Sequence, residues 1–96
     1  MHAVVRTYSG QGTSEIFDQL EQKNDEVKDL MGGVPGFVSY TALRSGDGGL
    51  TITVCEDKAG TDESSRRAAE WVKENIDATA GPPVMTEGDT VVHFNS

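Results

Sequence analysis

The sequence predicts an α+β protein of the ferredoxin-like class, with element order βαββαβ and a four-stranded antiparallel sheet. Residues Pro35 to Asp57 read as a β-hairpin, because two alternating runs flank a glycine-rich turn. A helical pattern lies on each side of this hairpin, and a further strand lies at each end of the chain. The two predicted helices also open alike, as Gly12-Thr13-Ser14-Glu15 and Gly60-Thr61-Asp62-Glu63. These observations indicate two strand–helix–strand halves, the split βαβ arrangement.

Size and charge limit the partners that we expect. A chain of 96 residues forms one domain, 1–96, with a thin core, so burial against a second copy would stabilise it and a homodimer is expected. The net charge of −8 disfavours nucleic acid and anionic membranes, both of which attract clustered Lys and Arg.

The first residues of the chain and its single cysteine indicate where in the cell we expect the protein to be. We expect neither a signal peptide nor a membrane span, because the chain opens without a basic and apolar leader and no apolar run approaches about 20 residues. Cys55 cannot form an internal disulfide and is expected to be buried and inert, which fits a reducing cytoplasm.

The first half contains a strand at His2–Tyr8 and one helix after it. Thr13 is predicted to be the N-cap, and Gly32-Gly33 with Pro35 is predicted to end the helix. Between these limits, apolar residues recur at helical spacing: Ile16, Leu20, Val27 and Leu30.

The hairpin is predicted to have strands at Phe37–Arg44 and Leu50–Glu56. Asp47-Gly48 suits a type I′ turn, which places Gly46 opposite Gly49. One face of the hairpin is more apolar and is predicted to meet the helices: Phe37, Thr41, Leu43, Leu50, Ile52 and Val54. The other face is semi-polar and is predicted to meet a partner's sheet or a cavity: Val38, Tyr40, Ala42, Arg44, Thr51, Thr53 and Cys55.

The second half is predicted to begin with a helix capped by Thr61. Its buried stripe is Ala69, Val72 and Ile76, with Ala68 beside it and Trp71 at the margin. An irregular stretch from Thr79 to Gly88 and a last strand from Asp89 to Phe94 follow. The face of the first strand that meets the helices stays open: the repeated helix start favours His2, Val4 and Arg6, whereas apolarity favours Ala3 and Val5.

The segments VVRTYSGQG, VPGFVSYTALRSGDGGLTITVCEDKAGTDES and TEGDTVVHF resemble the dimeric α/β-barrel superfamily, specifically its small antibiotic biosynthesis monooxygenase-like domains. The resemblance implies a homodimer whose two sheets meet face to face, with the helices outside. It implies relatives such as cofactor-free quinone-forming monooxygenases, haem-degrading enzymes, isomerases and stress-response proteins. Haem-degrading relatives use an Asn on the first strand, where this chain has Arg6. Quinone-forming relatives use Asn, Trp and Tyr, of which Asn75 and Trp71 stand one turn apart here. No catalytic residue is transferred.

Four residues form the predicted ligand pocket between sheet and helices: Arg6, Tyr40, Trp71 and His93. Arg6 would hold a substrate oxygen, Trp71 would stack on a planar ligand, and His93 or Tyr40 would move a proton. The structural alternatives are an ion pair of Arg6 with Glu56, Glu87 or a dimer mate, and packing of Trp71 in the core or an interface.

Metal and cofactor sites are not expected. His2 and His93 could approach each other on neighbouring strands, but two histidines without a third ligand make a poor metal site. The sequence therefore leaves three interpretations open. The protein could be a cofactor-independent monooxygenase or isomerase acting on a small aromatic or quinone-like molecule, a non-enzymatic small-ligand-binding or stress-response protein, or a structural dimer with no cavity.

Overall fold

The computed structural model describes residues 1–76 and 81–96, and it has the predicted α+β architecture. The sheet is antiparallel, with strand order β2-β3-β1-β4. The elements are β1 His2–Tyr8, α1 Thr13–Gln22, α2 Asn24–Gly32, β2 Phe37–Ser45, β3 Gly48–Cys55, α3 Lys58–Asn75 and β4 Val84–Asp89. The ferredoxin-like fold class is confirmed.

The first helical segment is two helices, not the single helix that was predicted. The helical repeat that joins Leu20 to Val27 passes through Lys23 and Asn24, so a continuous helix would turn these polar side chains into the core. Lys23 instead leaves the helical conformation, with φ −108° and ψ 31°, and α2 starts anew. Both helices can then bury an apolar side.

Neither Thr13 nor Thr61 is the N-cap that the sequence predicted. Gly12 caps α1 with a left-handed φ of 86°, and Thr13 instead donates its hydroxyl to the carbonyl oxygens of Gly10 and Asp47. Asp57 caps α3, its carboxylate accepting from the Gly60 amide at 3.1 Å. Thr61 is therefore inside α3 and fully buried.

The helices cover the sheet face that carries Arg6, Tyr40, Thr51 and Thr53, so the predicted roles of the two faces are wrong. Arg6 bonds to serines of α3 from this face. The opposite face, which we call the open sheet face, is not covered by these helices: its Leu43 is 42% exposed, although its Val54 is 5% exposed. The side of β1 that faces the helices consists of four buried residues: His2, Val4, Arg6 and Tyr8. The repeated helix start therefore predicted this face correctly, whereas apolarity, which favoured Ala3 and Val5, did not.

The hairpin turn lies one residue earlier than predicted. Ser45 pairs with Gly48, which leaves Gly46-Asp47 as the two-residue turn. Gly46 has a φ of 57° and Asp47 does not have a positive φ, as in a type II′ turn. A bulge between Phe37 and Ser39 then places Phe37 opposite Cys55 on the helix side, where it packs on the core.

The last strand is Val84–Asp89, and the predicted strand Asp89–Phe94 is wrong. Thr79 and Ala80 of the predicted irregular stretch lie outside the described residues, whereas its end, from Val84 to Gly88, belongs to β4. The strand pairs with β1, so that Glu87 lies opposite Val4 and Asp89 opposite His2.

The buried side of α3 also differs from the prediction. Thr61, Ser64, Ala68 and Trp71 are buried, followed by Ile76 just beyond the helix, whereas Ala69 is exposed. The helix is thus turned so that its first half presents hydroxyls to the sheet and its second half presents apolar side chains. Trp71 packs in the core with Phe17, Val27 and Met31 on the first two helices.

Gly60 sets how closely α3 approaches the sheet. A β-carbon there would lie 2.6 Å from the Pro35 carbonyl oxygen and 2.8 Å from Cys55 Cβ. We expect Gly60→Ala to lower the free energy of unfolding by about 1–3 kcal/mol, as overpacking does. Urea denaturation followed by circular dichroism measures the change.

Gly32→Ala is the control for this prediction. A β-carbon at Gly32 meets nothing within 4 Å, and alanine is favoured over glycine in a helix by roughly 0.5–1 kcal/mol. We expect unchanged or higher stability. An equal loss in both variants would contradict the close contact of α3 with the sheet.

Candidate functional site

Arg6 is the most unusual residue of the buried layer. It stands on β1, an interior strand of the sheet, and strand alternation points it at the helices. Its exposure is 1%. A buried guanidinium is costly unless its charge is paired and its N–H groups are bonded, so its surroundings are the first place to look for function.

Hydroxyl groups, not carboxylates, surround the Arg6 guanidinium. Nη1 donates to Thr51 Oγ1 at 3.2 Å and to Thr53 Oγ1 at 3.0 Å, both on the neighbouring strand β3. Nη2 donates to Ser64 Oγ at 2.6 Å and to Ser65 Oγ at 3.2 Å, and Nε donates to Ser65 Oγ at 3.3 Å. These neutral oxygens satisfy the N–H donors but carry no negative charge to compensate that of the guanidinium.

The predicted ion pair of Arg6 with Glu56 or Glu87 is wrong. Glu87 pairs instead with His2 Nε2 at 3.0 Å and lies 3.7 Å from Lys58 Nζ. Among the described residues, no carboxylate forms a salt bridge with Arg6. Burial lowers the pKa of Arg6 from its ordinary value.

An open cleft of about 650 Å³ reaches Arg6 from the surface between α3, β1 and β4. We call it the Arg6 cleft. Its described lining is Arg6, Tyr8, Ser65, Ala68, Ala69, Val72, Lys73, Ile76, Gly81, Pro82, Pro83 and Met85. Most of these side chains are apolar, and the polar ones include Arg6, Tyr8 and Ser65. This is the usual design of a small-molecule site.

Tyr40 and Trp71 do not line the Arg6 cleft. Both border a small void of about 20 Å³ in the core, and Tyr40 also borders a second cleft of about 770 Å³ between α1, α2 and β2. The Nε1 of Trp71 is buried without a hydrogen-bond partner in the described part of the chain. The structural alternative for Trp71, packing in the core, is thus the arrangement observed.

Tyr8 is the tyrosine at the Arg6 cleft, and the sequence did not single it out. It is 6% exposed, and its ring stands edge-on to Phe17, with ring centroids 6.1 Å apart. Burial raises its pKa, although the Arg6 charge opposes the shift. The signal was available in the alternation of β1, because Tyr8 follows Arg6 by two residues and shares its face.

His93 lies in the segment after β4 and does not line any of the cavities described above. Its Nε2 is buried and has no hydrogen-bond partner among the described residues. His2, by contrast, bonds Glu87 at 3.0 Å and Asp89 at 3.3 Å, and these bonds raise its pKa. His2 therefore fastens β4 to β1, and the cleft wall with it.

Asn75 and Cys55 have structural surroundings. The Asn75 amide donates to the Trp71 carbonyl at 2.9 Å. Cys55 is buried, as predicted, and burial raises its pKa. Across residues 1–76 and 81–96, no group of three His, Cys, Asp or Glu side chains is arranged to hold a metal ion. Within the same residues, no helix has the length and apolarity needed to cross a membrane.

Solved structures show what the fold is similar to. A protein of unknown function from Nitrosomonas europaea has 15% identity and a TM-score of 0.71, covering 99% of this chain and 92% of that chain. The ActVA-Orf6 monooxygenase of Streptomyces coelicolor, in complex with nanaomycin D, has 20% identity and a TM-score of 0.68, covering 99% and 91%. The haem degrader MhuD from Mycobacterium tuberculosis, with two haems in its active site, has 15% identity and a TM-score of 0.63, covering 98% of each chain.

These similarities establish the fold. The fold that the resemblance implied, that of antibiotic biosynthesis monooxygenase-like domains, is confirmed, since a monooxygenase and a haem degrader share it over nearly the whole chain. No protein-family model matches the chain, and no curated protein does. At identities of 20% or less, substrate and chemistry must be argued from the chain itself.

The buried phenol of Tyr40 predicts a loss of stability at high pH. Burial raises its pKa from 10.0 to about 12, partly offset by the Arg6 charge. The unfolded chain therefore loses this proton first, and the folded state is destabilised as pH rises from 10 to 12. We expect Tyr40→Phe to reduce that loss by about 1–2 kcal/mol. Urea denaturation across this range measures it; equal slopes in both proteins would contradict the burial of the phenol.

Proposed function

We propose that this protein binds a small, largely apolar organic molecule in the Arg6 cleft and holds one of its oxygens at Arg6. The observation that carries the proposal is a buried guanidinium that lines a largely apolar cleft and whose bonds, within the described part of the chain, all go to hydroxyls. A ligand oxygen with negative charge would supply the compensation that the described residues do not. The ligands of two structural neighbours, nanaomycin D and haem, are organic molecules of this general kind.

The finer proposal is a cofactor-independent monooxygenase or isomerase reaction on an aromatic or quinone-like molecule. Arg6 can stabilise the phenolate or enolate that such chemistry forms, because a fixed positive charge on a buried side chain favours a developing anion beside it. Tyr8 lies at the same cleft, and its raised pKa keeps it a proton donor near neutral pH. In such a reaction Arg6 would stabilise the anion and Tyr8 would donate a proton.

A non-enzymatic binding protein is the second candidate, and one observation favours it. The predicted proton carriers Tyr40 and His93 do not line the cleft. The pKa of Tyr8 is raised, so its phenol keeps its proton at neutral pH and cannot accept one from a ligand. Oxygen uptake with 1,4-dihydroxynaphthalene, compared between the wild type and Arg6→Gln, separates the two. Equal rates, both at the protein-free level, would favour binding alone.

Binding itself is tested with 1,4-naphthoquinone and 1-naphthol by calorimetry. A hydrogen bond from a charged donor is worth about 1.5–3 kcal/mol, so Arg6→Gln should weaken binding roughly 10- to 150-fold. Ala69→Phe should block the cleft without touching a buried polar group, since Ala69 is exposed on its rim.

The matched controls are Arg44→Gln and Ala59→Phe. Arg44 pairs with Asp18 and Glu21 away from the cleft. Ala59 is exposed and lies on α3, as Ala69 does. We expect both to bind as the wild type does. If Ala69→Phe also binds as the wild type does, the ligand is elsewhere and the proposal is wrong.

We further propose that two copies pair through the open sheet face. It carries Val5, Leu50 and Ile52, half-exposed, and the exposed Leu43 and Val84, an apolar area that a second copy would cover. This replaces the predicted pairing through the semi-polar face, which the helices occupy. The cytoplasmic location stays a prediction from the single cysteine.

Ile52→Glu tests the pairing by placing a charge in the middle of this face. We expect light scattering to give a mass near twice the chain's 10.3 kDa for the wild type and near 10.3 kDa for the variant. Gln22→Glu, exposed on α1, adds the same charge and should stay dimeric. A monomeric wild type would contradict the pairing.

A further inference from the structure

The three sides of the Arg6 guanidinium differ in how they are closed. Thr51 and Thr53, 3% and 0% exposed, occupy Nη1, and Ser64, 0% exposed, accepts from Nη2 at 2.6 Å. Ser64 in turn donates to the Thr61 carbonyl at 2.7 Å, so its position is fixed. The remaining side is the edge formed by Nε and Nη2.

Of the described residues, Ser65 is the one that bonds this edge, and its bonds are long. One hydroxyl oxygen accepts from both Nε and Nη2, at 3.3 and 3.2 Å. Charge-assisted bonds from a guanidinium are usually about 2.7–2.9 Å, and two parallel donors suit the two oxygens of a carboxylate. Ser65 is half-buried and lines the Arg6 cleft, so an entering molecule can reach this edge.

The charged residues among the described lining of the cleft have one sign. Of its described lining residues, the charged ones are Arg6 and Lys73, both positive. The whole chain has a net charge of −8. A positive cleft on an acidic protein attracts anionic molecules to this place in preference to the remaining surface.

We propose that the ligand of the Arg6 cleft is an organic acid, whose carboxylate replaces the Ser65 hydroxyl on the Nε–Nη2 edge while its apolar body lies along Ala69 and Val72. This proposal rests on the proposed function, and it adds the class of ligand and the atoms that recognise it. Ser65 thus acts as a placeholder, whose hydroxyl holds this edge until a carboxylate displaces it.

Matched probes test the class of ligand. Calorimetry at neutral pH and low salt compares 2-naphthoate with 2-naphthamide, which has the same ring and no charge. We expect the acid to bind roughly tenfold or more tightly than the amide. Equal affinities would overturn this inference and leave the proposed function standing; binding of neither would overturn both.

Two Ser65 variants test the atoms. Ser65→Asp should place a carboxylate on the edge, raise the melting temperature and remove the preference for the acid. Ser65→Ala should keep or increase the acid's affinity, because it frees the edge. Ser45→Asp, exposed and outside the cleft, controls for net charge and should retain the preference. An acid preference unchanged in Ser65→Asp, or lost in Ser65→Ala, would show that Ser65 is not the placeholder.

Discussion

The buried charge of Arg6 is the constraint on which the rest of this structure depends. Removing an ion from water costs several kcal/mol even after the protein relaxes, so every N–H of the guanidinium needs an oxygen. Two elements supply these oxygens: β3 through Thr51 and Thr53, and α3 through Ser64 and Ser65. The first half of α3 is thus held on the sheet by hydrogen bonds, whereas Trp71 holds its second half by apolar packing.

A shortage of acid groups does not explain why Arg6 bonds hydroxyls. The chain has 16 Asp and Glu against 8 Lys and Arg. Exposed arginines each take two of them: Arg44 pairs with Asp18 and Glu21, and Arg66 with Glu63 and Glu70. At the surface such pairs add little stability, but inside, a carboxylate would have neutralised Arg6. Arg6, which has no carboxylate partner in residues 1–76 and 81–96, thus lies where a ligand can reach it.

Local chemistry explains which parts of the fold the sequence could predict. The hairpin was predictable because glycine and alternation mark it, but Gly46-Asp47 and Asp47-Gly48 both suit a two-residue turn. The predicted turn places Ile52 opposite Leu43, whereas the observed turn places Leu50 there, so the two registers of β2 against β3 differ by two residues. Because side chains alternate between the faces of a strand, a shift of two residues leaves each side chain on the same face. The division of the hairpin into two faces therefore survived, except at Phe37, where a bulge intervenes.

The choice of the covered face failed because apolarity was the only guide. Thr51 and Thr53 look half-polar in the sequence, yet their hydroxyls are consumed by Arg6, a residue 45 and 47 positions away. Helical spacing predicts a buried stripe on α3, but not that Ser64 belongs to it. Only the register of β1 against β3 and the rotation of α3 bring these hydroxyls to one point.

One wall of the cleft is formed by β4, the strand whose position in the sequence was predicted wrongly. Valines and an aromatic residue between Val91 and Phe94 favour a strand by propensity, yet β1 pairs with the more polar Val84–Asp89. That register puts Glu87 and Asp89 at His2, where they bond its imidazole, and it puts Met85 opposite Arg6 as a wall of the cleft. The His2 imidazole, through its bonds to Glu87 and Asp89, thus fastens β4 to β1 and holds the wall beside which the buried charge of Arg6 opens to a ligand.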